Sequence, residues 1–309
     1  MQNKNNGFTE KFLKEEKIKV CKEHRLKDYT TIKTGGKAQF YYQPVSLKKL
    51  KKVFKFINDN NINYKIIGMG SNLLVSDKGV SGFVINLIDL PQKVNIGNSF
   101  VQISSNLNNK EFIAYCKKEG LGELEFLTGI PGSLGGMINM NAGAFDYEIG
   151  DYVQDISIIN KMGKMQTINR DNISFEYRKI SLPVKNYIIV SSRLKFTKKP
   201  SQKIEEKVKF YNSKRNSSNL NNYPTFGSVF KNGYDYHAGE LIDKCGLKGY
   251  SLGGAEISEL HANFILNKNN ASAADIYKLI KLVEKRVKEK YNIELEPEVR
   301  FWGDFSYAI

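Results

Sequence analysis

Residues 126–145 contain no charged side chain, and this run constrains the fold more than any other part of the chain. It is long enough to cross a bilayer as a helix. However, Pro131 and several glycines make the run a poor helix former, and its backbone would lack hydrogen-bond partners in lipid. The sequence therefore predicts a buried loop, or a loop that wraps a ligand, rather than a membrane span.

The run opens with a glycine-rich stretch and continues with asparagines and further small residues. Its members are Gly129, Ile130, Pro131, Gly132, Ser133, Leu134, Gly135 and Gly136, followed by Asn139, Asn141, Ala142, Gly143 and Ala144. Such residues bury little apolar surface, and ordering them costs conformational entropy. A large flat ligand lying on the backbone would offset that cost, and an irregular packed loop is the alternative.

A shorter glycine-rich turn follows an apolar strand earlier in the chain. It reads Ile67, Gly68, Met69, Gly70, Ser71, Asn72, Leu73 and Leu74. Glycines allow the backbone to approach a phosphate closely, and successive N–H groups can surround its oxygens. The GxGxxG pattern of dinucleotide-binding folds is incomplete, so a plain tight turn stays open as an alternative. Together, the two loops suggest one phosphate-bearing ligand held by both.

The balance of charge is basic, with 47 Lys and Arg against 32 Asp and Glu and a net charge of +15. Most of the bases are lysines spread along the chain, which is typical of a solvated cationic surface. A nucleic-acid footprint would need bases clustered on one face, preferably with stacking aromatic residues. An anionic substrate is a third explanation, and charge alone does not choose among them.

The three cysteines, Cys21, Cys116 and Cys245, are far apart and form no CxxC pattern. This spacing favours a reducing compartment and argues against a disulfide framework or a zinc site. The histidines at 24, 237 and 261 likewise lack metal-ligand spacing, so no metal is expected. The N-terminus has no apolar signal core, which makes secretion unlikely on sequence grounds.

The periodicity of apolar residues predicts a mixed α and β chain. Strands are predicted over residues 38–42, 64–67, 73–75, 83–87, 100–104, 153–159, 164–168, 187–196 and 264–266. Helices are predicted from Ser46, over residues 109–119 with Gly120 as C-cap, within residues 204–218, and from Ser272, where Ser272 and Asp275 resemble a capping box. Residues 1–20 are predicted to be a polar lead-in, and the break at residues 198–200 suggests a domain boundary. At 309 residues, two or three domains of ordinary size are expected.

Three further segments contain side chains able to carry chemistry. Arg178 follows Tyr177 in a chain poor in arginine, and a guanidinium offers a planar fork for a carboxylate or phosphate. Ser228 lies among apolar residues, outside any GxSxG nucleophile pattern. Glu298 belongs to the segment 295–301, where two acids flank Pro297. Each segment also has an ordinary structural interpretation, as a surface ion pair, a strand residue or a strand end.

Taken in order, these segments resemble the UDP-N-acetylenolpyruvoylglucosamine reductase family, in its shorter subtype without a tyrosine-bearing lid loop. The resemblance rests on residues 30–36, 67–75, 129–144, 177–178, 227–232, 238–243, 246–249, 258–264 and 296–300. It implies an α+β fold with an FAD-binding domain of the vanillyl-alcohol-oxidase (PCMH) type, made of two subdomains, and a C-terminal α/β substrate-binding domain. The implied division is an extension at 1–20, the FAD domain at 21–199 and the substrate domain at 200–309, whose last residues can pack back on the FAD domain.

The resemblance also implies the chemistry. Non-covalent FAD, reduced by NADPH, would pass a hydride to the enolpyruvyl ether of UDP-N-acetylglucosamine and give UDP-N-acetylmuramate, a cytoplasmic step of peptidoglycan synthesis. Ser228 matches the proton donor, while Arg178 and Glu298 match positions beside the substrate carboxylate. Lys231, Asn232 and Arg215 match substrate-binding positions. FAD would contact Gly68, Gly70, Ser71, Asn72, Leu73, Gly129, Ile130, Pro131, Gly132, Ser133, Gly135, Gly136, Asn141, Gly143, Ala144 and Tyr177.

Phe226 and Gly233 depart from the family pattern around Ser228, which leaves the shape of that loop open. A monomer without membrane insertion or bound nucleic acid is expected. Two rival functions remain at this point. One is another FAD oxidoreductase of the same fold, disfavoured by the Ser228, Arg178 and Glu298 set. The other is a basic nucleic-acid-binding protein, which predicts steep salt dependence of binding and no bound chromophore.

Overall fold

The computed structural model describes residues 2–216 and 223–308, without the side chains of residues 2–6 and Asn216. It shows the predicted α+β class. The helices of this part of the chain are α1 (Gln2–Glu15), α2 (Leu47–Asp59), α3 (Asn109–Glu119), α4 (Leu134–Asn139), α5 (Ser201–Asn216), α6 (Ala238–Lys244) and α7 (Ala273–Tyr291).

The strands are short, and most of them belong to sheets described below. In chain order they are β1 (Cys21–Arg25), β2 (Lys37–Tyr42), β3 (Tyr64–Ile67), β4 (Leu73–Val75), β5 (Val80–Asn86), β6 (Val94–Ile96), β7 (Phe100–Ser104), β8 (Leu121–Gly122), β9 (Gly143–Ala144), β10 (Tyr147–Glu148), β11 (Val153–Asn160), β12 (Met165–Asn169), β13 (Ser174–Glu176), β14 (Lys179–Ser181), β15 (Tyr187–Lys195), β16 (Thr197–Lys198), β17 (Ser251–Leu252), β18 (Ala255–Ile257), β19 (Ile265–Asn267) and β20 (Arg300–Trp302).

The first subdomain is a four-stranded sheet in the order β1-β2-β5-β3, covered by α2. Strands β2, β5 and β3 run parallel, and β1 pairs antiparallel with β2. Ser46 caps α2 by accepting a hydrogen bond from the Lys49 amide, as the predicted helix start requires. Val53, Phe54 and Ile57 bury the apolar stripe of α2 against this sheet.

The second subdomain is an antiparallel sheet in the order β12-β11-β15-β7-β6. The predicted hairpin around Gly163 is confirmed as β11 and β12. The predicted helix over residues 109–119 is also confirmed, because α3 has these bounds and Gly120 ends it in the left-handed conformation. Phe112 and Phe126 lie in the core beneath this sheet.

The charge-free run is not a plain loop, which corrects the sequence-based expectation. Residues 134–139 form α4, and the two-residue strands β9 and β10 make a hairpin after it. Leu134, Met137 and Ile138 are buried in the second core, so tertiary packing offsets the poor helix propensity of the glycines. Gly135 is needed there because a Cβ would lie 2.6 Å from the Cβ of Ser105.

Among the described residues, none of the helices combines the length and the apolar character needed to cross a bilayer.

The N-terminal residues form a helix that the sequence reasoning missed. In α1, the Phe12 ring stacks on Phe56 of α2 at 3.8 Å between centroids. Leu13 and Ile18 are buried in the core of the first subdomain. The few apolar residues of this segment are separated by lysines and asparagines, so its composition is polar overall. The segment nevertheless packs against α2 and the core of the first subdomain.

Helix α5 begins at Ser201, which confirms a helix in this basic segment; residues 217 and 218 of the predicted stretch lie outside the described part of the chain. The helix packs against α3 and against residues 125–127. Val208 and Tyr211 contact the core of the second subdomain. Helix α5, which follows the predicted boundary at residues 198–200, therefore packs against the second subdomain.

The C-terminal unit contains the three-stranded sheet β17-β18-β19 with α6 and α7 packed on it. The Ser272–Asp275 capping box at the start of α7 is confirmed, with both reciprocal hydrogen bonds present. The chain then returns to the N-terminal part of the fold, because β20 pairs in parallel with β4, the strand that follows β3. Asp77 strengthens the junction by accepting hydrogen bonds from the Ala273 and Ala274 amides, both at 3.0 Å.

Candidate active site

The first glycine loop (residues 68–72) joins β3 to β4 at the edge of the first sheet. Gly70 has φ +61°, and a Cβ there would lie 2.0 Å from the Tyr29 carbonyl oxygen. The Gly70 carbonyl accepts a hydrogen bond from the Thr31 amide at 3.2 Å. Only glycine combines this positive φ with the absence of a Cβ. The turn is therefore fixed by its close backbone contact with residues 29–31.

The second glycine loop (residues 129–136) approaches the first one directly. A Cβ added to Gly68 would lie 2.5 Å from the Ser133 hydroxyl oxygen. Both loops line one cavity of about 450 Å³, through Gly68 and Met69 on one side and Ser133, Gly135 and Gly136 on the other. The two loops singled out by the sequence are thus brought together at one cavity.

Several residues that complete this cavity were missed by the sequence reasoning. They come from the β5–β6 connection, from the β7–α3 connection and from β15, and include Ile88, Ser105, Asn106, Tyr187 and Ile189. None belongs to a glycine-rich or charged motif, so no local signal could have marked them. Their position follows from the packing of the second sheet against the first glycine loop.

Arg178 and Glu298 meet although they lie 120 residues apart in the chain. Arg178 Nε donates to Glu298 Oε1 at 2.9 Å, and less than a fifth of either side chain is exposed. The Arg178 Nη2 group also lies 3.4 Å from the Gly143 carbonyl oxygen, and its guanidinium stacks over the Tyr177 ring at 4.8 Å. The pair is therefore held in a defined geometry instead of moving freely in solvent.

The backbone at Arg178 is itself unusual. Tyr177 and Arg178 form the turn between β13 and β14, and Arg178 has φ +58°. A side chain other than glycine in the left-handed region costs about 1–2 kcal/mol. Such strain concentrates at functional sites, where the surrounding structure maintains it. Arg178 has this conformation at the same position where its guanidinium bonds to Glu298.

Burial raises the pKa of the Glu298 carboxyl above its ordinary range. The positive charges of Arg178, Lys231 and Arg300 act in the opposite direction and favour the ionised form. Desolvation is the largest effect, so the carboxyl retains its proton to a higher pH than an exposed glutamate does. A perturbed carboxyl paired with a guanidinium in a partly buried site is a candidate for acid–base chemistry.

Ser228 lies in an extended segment between two others. Ser228 bridges Phe264 in antiparallel fashion on one side, and Phe230 bridges Pro297 on the other. The Glu298 amide donates to the Val229 carbonyl at 2.8 Å. Ser228 is half-buried. It directly precedes Val229, whose carbonyl accepts from the Glu298 amide. The fold therefore brings Ser228, Glu298 and Arg178 into one region.

The predicted substrate residues do not form one cluster. Lys231 is paired with Glu296 at 2.5 Å and contributes its charge near Glu298. Asn232 is exposed, and its side-chain oxygen accepts from the Ala238 amide at the start of α6. Arg215 lies on α5 beside the second glycine loop, since a Cβ on Gly129 would be 2.7 Å from its Cδ. Burial lowers the pKa of Arg215.

The remaining predicted cofactor residues differ in how they are used. Asn141 is fully buried, and its side chain bonds to Glu148, the Glu176 carbonyl and the Gly150 amide. Its side-chain amide therefore holds together the segments around residues 141, 148–150 and 176. Leu73 is buried in β4. Ala144 pairs with Tyr147 in the β9–β10 hairpin. The side chains of Pro131 and Tyr177 are exposed. Ile130 packs on the second core.

Among the described residues, no group of three or more His, Cys, Asp or Glu side chains is arranged to hold a metal ion. Desolvation lowers the pKa of His261, and its Nδ1 accepts from the Asn263 amide at 3.2 Å. This is a contact within the loop before β19.

A larger, open groove of about 1000 Å³ lies elsewhere, lined by Arg25, Lys27, Lys33 and Lys78 among other residues. Its bases are partly balanced by acids, since Lys78 pairs with Asp304 at 3.1 Å. None of the predicted site residues lines it. The groove shows that part of the basic charge gathers at one place, away from the glycine loops.

The cavity of about 450 Å³ combines glycines, which allow close approach to the main chain, with apolar and amide side chains that can contact a flat ring, and this composition suits a dinucleotide cofactor. A family model described as "FAD binding domain" matches residues 38–169, which include both glycine loops. The region from β2 to β12 thus defines the protein as an FAD-dependent oxidoreductase.

The C-terminal unit identifies the family. A model described as "UDP-N-acetylenolpyruvoylglucosamine reductase, C-terminal domain" matches residues 219–302, which include Ser228 and Glu298. The reductase of that name from Caldicellulosiruptor bescii is 37% identical over 96% of this chain and 95% of its own, and that from Agathobacter rectalis is 35% identical over 93% and 95%. The chain belongs to the UDP-N-acetylenolpyruvoylglucosamine reductase family.

A solved structure agrees with this assignment. The crystal structure of UDP-N-acetylenolpyruvylglucosamine reductase from Thermus caldophilus superposes with a TM-score of 0.79 and 31% identity. The match covers 93% of this chain and 99% of that one. The similarity therefore extends over most of the fold.

Proposed function

We propose that the protein catalyses the NADPH-dependent reduction of UDP-N-acetyl-3-O-(1-carboxyvinyl)-glucosamine to UDP-N-acetylmuramate, a step of peptidoglycan precursor synthesis in the cytoplasm. Family membership supports the substrate, and the contact between Arg178 and Glu298 beside the Ser228 segment supports the chemistry. FAD held between the two glycine loops would supply the redox chemistry that links hydride donation by NADPH to reduction of the enolpyruvyl methylene carbon.

The two glycine loops hold the cofactor in this proposal. Gly68, Gly135 and Gly136 present backbone to the cavity, so a flat ring or a diphosphate can approach closely. Ser133 adds a hydroxyl from the same cavity wall, and Ser71 lies near the opposite loop, since a Cβ on Gly132 would be 3.5 Å from its hydroxyl oxygen. These residues bind and orient, and they do not transfer protons.

Hydride addition to an enol ether leaves negative charge on the adjacent carbon, which the substrate carboxylate shares as an enolate. Arg178 is suited to stabilise this charge, because its guanidinium is planar, permanently cationic and held by Glu298 and Gly143. A preorganised donor aimed at developing charge is typically worth about 10²–10³ in rate.

Glu298 can assist only in its protonated form, since an ionised carboxylate would repel the enolate. The raised pKa of Glu298 favours that form. The arriving substrate carboxylate would compete for Arg178 and add a like charge, and both effects raise the Glu298 pKa further. Glu298 would then donate a hydrogen bond to the substrate carboxylate beside Arg178.

Ser228 is the group in this region that can protonate the enolate carbon. A hydroxyl is a weak acid, but an enolate is basic enough to take its proton when the two are in reach. The extended segment between Phe264 and Pro297 fixes the Ser228 backbone through flanking β-bridges. General acid catalysis by a positioned group contributes about 10²–10⁴ in rate.

Replacing Ser228 by alanine tests this assignment. We expect Ser228→Ala to bind FAD and to be reduced by NADPH at nearly the wild-type rate, whereas re-oxidation by the enolpyruvyl nucleotide slows by about 10²–10⁴. Anaerobic stopped-flow absorbance of the flavin separates the two half-reactions. Ser251→Ala, a change at an exposed serine of β17, serves as the matched control.

Both half-reactions at wild-type speed in Ser228→Ala would remove Ser228 from the mechanism. A purified protein that is colourless, or one whose flavin is not re-oxidised by the enolpyruvyl nucleotide, would refute the proposed function as a whole.

A further inference from the structure

Asn72 ends the first glycine loop, and its side chain contacts the C-terminal segment that carries Glu298. Asn72 Nδ2 donates to the main-chain carbonyl oxygen of Glu298 at 3.0 Å. The Asn72 carbonyl in turn accepts from the Arg300 amide at 3.1 Å. A single residue of the cofactor loop thus binds the chain on both sides of Val299.

These contacts follow from the pairing of β4 with β20. Strand β4 starts directly after Asn72, and β20 starts two residues after Glu298, with Arg300 opposite Leu73. The parallel register therefore places the last loop residue beside the catalytic glutamate. The sequence could not show this, because the two residues are separated by 226 positions.

The Glu298 peptide is held from two directions. Its amide donates to the Val229 carbonyl at 2.8 Å, next to Ser228, while its carbonyl accepts from Asn72. The carboxyl group reaches Arg178 from this fixed main chain. A reacting group displaced by about 1 Å can lose 10² in rate, so a contact that sets the Glu298 backbone affects the reaction.

We propose that Asn72 is a positioning residue for the reaction, which fixes Glu298 beside Arg178 and so couples the cofactor loop to the substrate carboxylate site. This inference rests on the proposed function, since it assumes that Glu298 takes part in reduction of the enolpyruvyl group. Asn72 acts through Glu298 and needs no contact with the substrate.

The charged groups around Glu298 predict how loss of this contact shows itself. Arg178, Lys231 and Arg300 all favour the ionised carboxylate, and burial opposes them. In Asn72→Ala the Glu298 segment loses one of its hydrogen bonds, and we expect it to become more hydrated. The desolvation that raises the pKa of Glu298 then weakens, so this pKa falls. The active, protonated form is then lost at a lower pH, and the alkaline limb of the re-oxidation rate moves down in pH.

A double-mutant cycle on the FAD-loaded enzyme tests the coupling. Asn72→Ala, Glu298→Ala and the double variant are compared by flavin content, by reduction with NADPH and by re-oxidation with the enolpyruvyl nucleotide. In the FAD-loaded Asn72→Ala variant we expect re-oxidation to slow about five- to tenfold per bound flavin, while flavin content and reduction by NADPH report any contact between Asn72 and the cofactor. In the Glu298→Ala background the same change has no further effect on re-oxidation.

Asn72→Asp provides a second variant of nearly unchanged size, in which an oxygen replaces the donor and faces the Glu298 carbonyl. It is expected to show at least the same slowing of re-oxidation. Equal slowing by Asn72→Ala with and without the Glu298 side chain would overturn the positioning role, as would loss of flavin in both Asn72 variants. Wild-type re-oxidation in Glu298→Ala would instead refute the part of the proposed function that uses Glu298.

Discussion

The two halves of the candidate site are built in opposite ways. The two glycine loops of the cofactor half consist largely of main chain and small side chains, and Gly68 comes so close to Ser133 that no side chain fits between them. The chemical half consists of long ionisable side chains, Arg178 and Glu298, held in a partly buried pair. The glycine loops allow close approach to their main chain, whereas the Arg178–Glu298 pair holds ionisable groups in a fixed arrangement.

This difference predicts which property a substitution in each half will change. A substitution in the cofactor half acts through sterics and backbone strain, so it should remove the cofactor and lower stability. A substitution in the chemical half leaves the main chain intact, so it should change one half-reaction and its pH dependence. Three variants test this contrast, ordered by the size of the expected effect.

Gly70→Ala should have the largest effect, with loss of bound flavin and therefore of turnover. The new Cβ would lie 2.0 Å from the Tyr29 carbonyl oxygen, which is main chain and cannot move away cheaply. Flavin absorbance after purification and thermal unfolding measure the outcome.

The matched control is Gly246→Ala, where φ is +70° but no atom lies within 4 Å of the added Cβ. It should lose only about 1–2 kcal/mol of unfolding free energy through backbone strain and keep its flavin. Equal behaviour of the two variants would show that left-handed backbone strain, and not the close approach of the loop, governs this half.

Arg178→Lys should slow re-oxidation by about 10²–10³ while flavin content and reduction by NADPH are unchanged. Lysine keeps the charge and accepts the same backbone conformation, but it lacks the fork that reaches both Glu298 and Gly143. Rapid-mixing kinetics provide the measurement. Arg170→Lys is the control, since Arg170 bonds to the Ile173 carbonyl before the same hairpin and does not contact Glu298. Wild-type re-oxidation in Arg178→Lys would mean that charge alone suffices.

Glu298→Gln should have the smallest effect on the maximal rate, about two- to tenfold, because the amide is neutral and still donates a hydrogen bond. Its main effect is on pH dependence. The raised pKa means that the wild-type rate falls as the pH rises through it and the carboxyl ionises. The glutamine variant cannot ionise, so this fall should be absent.

The measurement is a pH series of re-oxidation rates, with Glu294→Gln, an exposed glutamate paired with Lys288, as control. If the fall in rate with pH persists in Glu298→Gln, another group titrates and Glu298 does not act as an acid.

Local sequence patterns predicted most of the scaffold. Helix α3 has the predicted bounds because Asn108 caps its start and Gly120 its end. Strands β3, β4 and β7 also match their apolar runs. By contrast, α1 was missed because few apolar residues mark it, and α4 because propensity argued against a glycine-rich helix that tertiary packing stabilises.

The sequence by itself determined the small-residue composition of the two glycine loops and the presence of Ser228, Arg178 and Glu298, because composition and local order require no folded neighbour. Only the tertiary structure decided that Glu298 meets Arg178, 120 residues away, and Asn72, 226 residues away. The Asn72 contact arises because β4 pairs with β20, which local sequence does not specify. The shifted pKa of Glu298 has the same origin, because burial and nearby charges exist only after the chain has folded.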